Sequence, residues 1–75
     1  MKPYFIIIYT WTTKSDPLFY FRLKTLAKWY PITKPSYTTI RTRDIKAFKE
    51  LIALCKRFEK RGLKWEAYLS YKVKT

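Results

Sequence analysis

The fold is decided by residues 39–73, which read TIRTRDIKAFKELIALCKRFEKRGLKWEAYLSYKV. The pattern predicts a strand, a helix over residues 44–61 and a second strand. Asp44 suits the N-cap of that helix, because its carboxylate can accept a hydrogen bond from a free backbone N–H. Gly62 is the only glycine in the chain and stands where a helix C-terminus favours positive φ. These two residues predict where the helix begins and ends.

The predicted helix divides into an apolar half and a basic half when its residues are placed at the helical angle. The apolar half must face a core and comprises Ile45, Phe48, Leu51, Ile52, Leu54, Cys55 and Phe58. The basic half holds one acid, Glu50, beside Lys46, Lys49, Lys56, Arg57, Lys60 and Arg61. Two interpretations stay open for the basic half: a solvated face that serves solubility, and a face that binds anions.

The sequence predicts four strands in addition to the central helix. Residues 2–11 predict the first strand, and residues 4–9 within it are β-branched and aromatic on both faces, a pattern that favours a central strand. A proline restricts residues 29–33 to a short edge strand, and residues 34–36 indicate a turn. Residues 37–43 predict a threonine-rich strand. Residues 63–73 alternate between apolar and polar side chains, as a half-buried strand does.

A second helix is predicted after the first strand. Asp16 and Pro17 form an N-cap followed by proline at the first helical position. A strand over residues 18–24 is the alternative, because Phe19, Phe21 and Leu23 alternate with polar residues. The helix is preferred, since Asp-Pro begins helices and the alternation stops at Lys24.

The order of these elements predicts an α+β fold in a single domain over residues 1–75. Two helices on one face of an antiparallel sheet, in the order β-α-β-β-α-β, give a small ferredoxin-like sandwich. Without the short strand near residue 31, a three-stranded β-α-β-α-β variant remains. In either case the helices leave one face of the sheet uncovered.

The uncovered face of the sheet is a candidate binding surface. The helices are expected to cover Ile40, Trp65 and Leu69. The uncovered face would show Tyr37, Thr39, Arg41, Arg43, Lys64, Tyr68 and Lys72. The first strand would add either Phe5, Ile7, Tyr9 and Trp11 or the alternate set. Aromatic rings interleaved with cations hold single-stranded nucleic acid, whereas burial of the same face in a homodimer is the alternative.

Charge points to an anionic partner. Seventeen Lys and Arg residues against five Asp and Glu residues give a net charge of +12. This excess repels itself unless something negative is bound, so nucleic acid, an acidic protein or an anionic membrane surface is expected. The membrane is the weakest of the three, because the apolar half of the central helix is needed for the core.

The residues that usually carry catalysis are missing or scattered. The chain has no histidine and one cysteine, Cys55, which reads as a small buried side chain. The five acids are spread along the chain, and two of them serve better as helix caps. We therefore expect no enzyme, no metal site and no cofactor.

The sequence predicts a small basic nucleic-acid-binding protein without catalytic activity. Its candidate contacts are Lys46, Lys49, Lys56, Arg57, Lys60, Arg61, Arg41, Arg43, Tyr37, Tyr68 and Lys72. The alternative is a small viral or plasmid regulator that docks on an acidic surface of a host protein, with Phe21, Trp29 and Tyr68 as anchors.

Source and location are expectations from composition. The absence of Asn and Gln beside many lysines favours a hyperthermophile or its virus or plasmid. No signal peptide is recognisable in residues 1–11, so an intracellular, cytoplasmic location is expected, in the host cytoplasm if the protein is viral.

Overall fold

The chain folds into one antiparallel sheet with two helices on one of its faces, as a computed structural model that describes residues 3–70 shows. Its elements are β1 (Tyr4–Trp11), α1 (Pro17–Trp29), β2 (Ile32–Ser36), β3 (Thr39–Thr42), α2 (Ile45–Phe58) and β4 (Leu63–Ser70). The strand order is β2-β3-β1-β4, so β1 lies in the interior of the sheet as predicted. This is the predicted ferredoxin-like α+β arrangement, with the fourth strand present.

The segment after β1 is a helix, so the strand alternative for residues 18–24 is wrong. The carboxylate of Asp16 accepts a hydrogen bond from the backbone N–H of Leu18 at 2.9 Å, and Pro17 opens the helix. Proline costs nothing at this position, because its missing N–H would have no helical partner.

The central helix begins and ends at the predicted caps. Asp44 accepts a hydrogen bond from the N–H of Lys46 at 2.8 Å. The α-helix ends at Phe58, and a 3₁₀ turn (Glu59–Arg61) carries the chain to Gly62. Gly62 has φ of 100°, and its carbonyl oxygen accepts hydrogen bonds from the N–H and the hydroxyl of Thr12 at 2.8 and 2.9 Å. The cap therefore also ties the end of the helix to the end of β1.

Three predicted boundaries in the middle of the chain are wrong. Trp29 is the last residue of α1, so the edge strand begins at Ile32 rather than at residue 29. Residues 34–36 belong to β2 rather than to a turn, and the turn lies at Tyr37 and Thr38. Pro35 is tolerated because β2 is an edge strand with a register irregularity between Thr33 and Ser36. The predicted strand over residues 63–73 is seen as far as Ser70, and its last three residues lie outside the described part of the chain.

The core lies between the helices and the inner face of the sheet. Its centre is aromatic, because the fully buried ring of Phe19 lies within 5.5 Å of the rings of Tyr9, Trp11 and Phe58. The other buried members are Ile7, Leu23, Ile40, Leu51, Leu54, Cys55 and Leu63. Both helices and three strands thus contribute to one cluster.

The two helices do not extend far enough across the sheet to cover β4. Leu69 is 55% exposed and Ile45 is 48% exposed, although both were expected to face the core, and Trp65 is only half-buried. The ring of Phe48 stacks on that of Phe5 at 4.6 Å and so holds α2 over β1. Because Leu69 pairs with Phe5 on the far side of β1, it lies beyond the helix.

Replacing Gly62 with alanine tests the cap. The positive φ is costly for any residue with a Cβ, and that Cβ would lie 2.6 Å from the hydroxyl oxygen of Thr13. We expect Gly62→Ala to lower the free energy of unfolding by about 1–3 kcal/mol in urea denaturation. Lys60→Ala in the same turn is the control and should change it by less than about 0.5 kcal/mol. Equal stability of the two variants would contradict the left-handed cap.

Candidate nucleic-acid interface

The outer surface of the two helices is basic. We call it the helix-layer surface. It consists of the exposed side chains Arg22, Lys24 and Lys28 of α1, Lys46, Lys49, Lys56 and Arg57 of α2, and Lys60 of the turn that follows. Glu50 on α2 is the one acidic residue within α1 and α2. Glu59, in the turn that follows α2, accepts a hydrogen bond from the Trp65 indole N–H at 2.6 Å. Five of the six basic residues predicted on the central helix therefore share one exposed surface with three cations of α1.

A groove of about 330 Å³ lies between the two helices and has one cation on each wall. Arg22 and Phe21 line it from α1, and Glu50 and Arg57 line it from α2. Phe21 is 67% exposed, and Trp29, at the end of α1, is 79% exposed. Large apolar side chains this open to water lie among cations here, a combination that suits a ligand with both flat rings and negative charge.

Arg61, the sixth basic residue of the predicted set, has a structural partner. Its guanidinium forms an ion pair with Asp16 and lies over the ring of Phe58 at 5.7 Å from the centroid. The hydrogen bond from the Leu18 N–H, with the Arg61 guanidinium second, holds the pKa of Asp16 below its usual value. Arg61 thus fastens the end of the central helix to the start of α1 and contributes less free charge than its neighbours.

The sheet face opposite the helices has a different character. β1 presents its alternate set to this face, namely Tyr4, Ile6, Ile8 and Thr10, because Ile7 and Tyr9 are buried under the helices. The centre of the face is therefore aliphatic, without the row of aromatic rings that the other alternation would have supplied.

Tyr4 lies between two arginines at one end of the open face. The guanidinium carbons of Arg41 and Arg43 lie 4.7 and 4.3 Å from the centroid of its ring. Arg43 also donates a hydrogen bond to the Tyr4 hydroxyl at 2.8 Å. The buried Nε of Arg41 finds no acceptor within residues 3–70. This cluster is a small cationic site, and the sequence pattern missed Tyr4 because both alternations of β1 were apolar.

Tyr68 is exposed on the same face beside an acid. Its hydroxyl donates a hydrogen bond to Glu66, and this bond raises the pKa of Tyr68. Lys64 lies on the same face, where it pairs with Thr10 of β1. The carboxylate of Glu66 makes this end of the face less suited to phosphate than the helix-layer surface.

The predicted site residues therefore fall on two surfaces. The cations of α2 point away from the sheet, whereas Arg41, Arg43 and Tyr68 lie on the face that the helices leave open. Tyr37 belongs to neither, because it stands exposed at the tip of the turn between β2 and β3. Lys72 lies outside the described residues. Arg22 was not predicted as a contact, although its place on α1 could have been read from the helical angle.

Comparisons with protein-family models, with curated proteins and with solved structures found no match to this chain. Within residues 3–70, no three His, Cys, Asp or Glu side chains lie together as they would to hold a metal ion. Neither of the described helices has the length and apolar character needed to cross a bilayer.

The ion pair between Asp16 and Arg61 predicts a pH dependence of stability. The pKa of Asp16 is lowered in the folded chain, so its contribution is present above about pH 4 and is lost as the pH falls through the folded pKa. Asp16→Asn keeps a good N-cap and removes the charge. We expect this variant to melt at a lower temperature at neutral pH, with a smaller decrease on acidification. Melting followed by circular dichroism at several pH values measures this.

The matched control is Glu50→Gln, whose carboxylate touches neither the Leu18 N–H nor Arg61. This variant should keep the acid dependence of the wild-type chain. An unchanged acid profile in Asp16→Asn would contradict the assigned role of the ion pair.

Proposed function

We propose that this chain binds nucleic acid through the helix-layer surface, without catalysing a reaction. The observation that carries the proposal is the concentration of exposed cations from both helices on one surface, with Glu50 as the acid among them. Each Lys or Arg that neutralises a phosphate releases a condensed counterion, so such a surface gains affinity from entropy at moderate salt. An intracellular, cytoplasmic location, as expected from the sequence, brings the chain to this ligand.

The exposed aromatic residues favour single-stranded nucleic acid as the ligand. Phe21 and Trp29 expose their rings beside Arg22 and Lys28 on the same helix. Unpaired bases can stack on such rings while the backbone follows the cations, and every base has a face that can stack. The preference for sequence should be weak, because phosphate contacts and stacking carry little sequence information.

The open sheet face is the lesser candidate for this ligand. Arg41 and Arg43 lie on the opposite side of the molecule from α2, so one short strand contacts either surface but not both. Around Tyr4 the cations are few, and Ile6 and Ile8 fill the middle of the face. We therefore place the main contact on the helices.

A salt titration tests the proposal. We expect fluorescence anisotropy with short labelled DNA and RNA, single-stranded and double-stranded, to show binding whose log affinity falls linearly with log salt. Lys56→Glu combined with Arg57→Glu should weaken binding by about tenfold or more near 0.1 M salt and make the slope shallower by about two.

The control is Arg43→Glu combined with Lys64→Glu, which makes the same change of net charge on the opposite face. This pair should weaken binding by less than about threefold, since only long-range attraction is lost. An equal loss in both pairs would contradict the placement on the helices. Absence of binding to every probe at low salt would contradict nucleic-acid binding itself.

A protein with an acidic surface is the second candidate partner. The exposure of Phe21 and Trp29 favours it, because aromatic side chains at the centre of a basic surface are common anchors in protein interfaces. The predicted third anchor, Tyr68, lies on the other side of the molecule and does not belong to the same surface.

The double variant Phe21→Ala with Trp29→Ala separates the two candidates. If the rings stack on bases, affinity for single strands should fall by about tenfold while affinity for duplexes stays within about twofold. Unchanged affinity for both probes would remove the rings from nucleic-acid binding and favour the protein partner. Circular dichroism of the variant checks that α1 still forms.

A further inference from the structure

One side of β4 has no partner strand in the described part of the chain. The hydrogen bond from the Thr12 N–H to the Gly62 carbonyl, at 2.8 Å, fixes which residues of β4 bond to β1. Because this pairing alternates along an antiparallel ladder, the even-numbered residues of β4 bond to β1. Trp65, Ala67 and Leu69 therefore direct their backbone N–H and C=O groups outward, to the free edge.

The two edges of the sheet differ in how they are protected. The β2 edge carries Pro35, Lys34 and a register irregularity, which are devices that prevent pairing with another strand. β4 has no proline, and its register with β1 runs unbroken from Leu63 to Ser70. A long, regular edge strand of this kind is a ready template for another strand.

An apolar strip runs beside this free edge on the helical side. Ala67 and Leu69 of β4 are exposed there, and so is Ile45 at the start of α2. Phe48 and Ile52 of α2 and Trp65 of β4 are only half-buried next to them. The strip and the unpaired backbone groups lie on the same margin of the molecule, so one partner would cover both.

We propose that β4 pairs in antiparallel fashion with β4 of a second copy of this chain, about a twofold axis at Ala67. In this register Trp65 lies opposite the second copy's Leu69, so a half-buried indole and an exposed leucine cover each other on the helical side. Glu66 lies opposite the second copy's Tyr68, the same donor and acceptor pair that bonds within each chain. About six backbone hydrogen bonds form, and the two four-stranded sheets become one.

The sequence of β4 favours a second copy of this chain as the partner strand. The register at Ala67 pairs nearly the whole of β4 and opposes no two charges of the same sign, since Lys64 meets the second copy's Ser70. α2 lies over β1, so three strand spacings separate the two α2 helices, which places their axes roughly 14 Å apart. The side chains of the apolar strip lie in the space between them.

The positive charge of both copies opposes this dimer, so the salt dependence of dimerisation distinguishes it from nucleic-acid binding. Each chain carries +12, and Lys49 and Lys56 lie on the outer part of α2 near the axis. Salt screens this repulsion. Dimerisation should therefore strengthen as salt is raised, whereas phosphate binding weakens, so the two proposals succeed or fail separately.

Sedimentation equilibrium of the free chain over a range of protein and salt concentrations tests the proposal. We expect a monomer–dimer equilibrium whose dissociation constant falls as salt increases. Ala67→Pro removes an outward N–H and leaves the ladder to β1 intact, so it should raise the dissociation constant at least tenfold with an unchanged circular dichroism spectrum. A monomer under all conditions, or an unaffected dimer in a folded Ala67→Pro variant, would overturn the proposal.

A cross-linking experiment covers the case in which the proline variant fails to fold. On the twofold axis the two residues at position 67 form a hydrogen-bonded pair with Cα atoms about 5.5 Å apart, which suits a disulfide. Ala67→Cys should therefore form a covalent dimer on mild oxidation. Lys64→Cys, roughly 20 Å from its counterpart in this register, should not. Equal cross-linking of the two variants, or none in either, would contradict this register, and Cys55 is buried and gives no background.

Discussion

The ring of Phe19 joins the parts of this small protein. It projects from α1, is fully buried, and lies at 5.3 Å from the ring of Tyr9 and at 5.5 Å from those of Trp11 and Phe58. The inner face of β1 and the last turn of α2 are thus held against the same side chain. A chain of 75 residues buries a limited area, so large rings supply much of its stability, and each well-oriented pair adds about 0.5–1.5 kcal/mol beyond burial.

This cluster also decides what the outside of the molecule offers. With Tyr9 and Trp11 turned toward the helices, β1 leaves Ile6 and Ile8 to the open sheet face. The cations that remain divide between the helix-layer surface and the small cluster around Tyr4. The surface chemistry of the protein is therefore a consequence of which alternation of β1 fills the core, and the exposed rings of Phe21 and Trp29 lie among the cations of the helices.

The features that could be predicted from the sequence are those fixed by local chemistry. Asp16, Asp44 and Gly62 end helices through bonds or backbone angles within a few residues, and the sequence placed all three correctly. The orientation of β1 could not be read, because both of its faces are apolar. Pairing with β3 decides that Pro35 lies in a strand, and the edge position of β4 decides that Leu69 is exposed.

The same distinction between local and long-range contacts holds for the candidate site. The exposure of the basic residues of α2 follows from helical periodicity and was predicted, although Ile45, which was placed on the apolar half, is exposed as well. Its grouping with Arg22 and Phe21 depends on how two helices pack, and the partial neutralisation of Arg61 depends on an acid 45 residues away. Contacts between residues that are far apart in the chain produce no periodic pattern in the sequence.

Cys55 makes the opening of this core directly measurable. It is the single thiol of the chain and is buried between α2 and the sheet, where burial raises its pKa to about 12. Thiol reagents attack the exposed thiolate, so only molecules whose core has opened can react. The rate at which a reagent labels the native chain therefore counts rare openings under conditions where every spectroscopic signal still reports a folded protein.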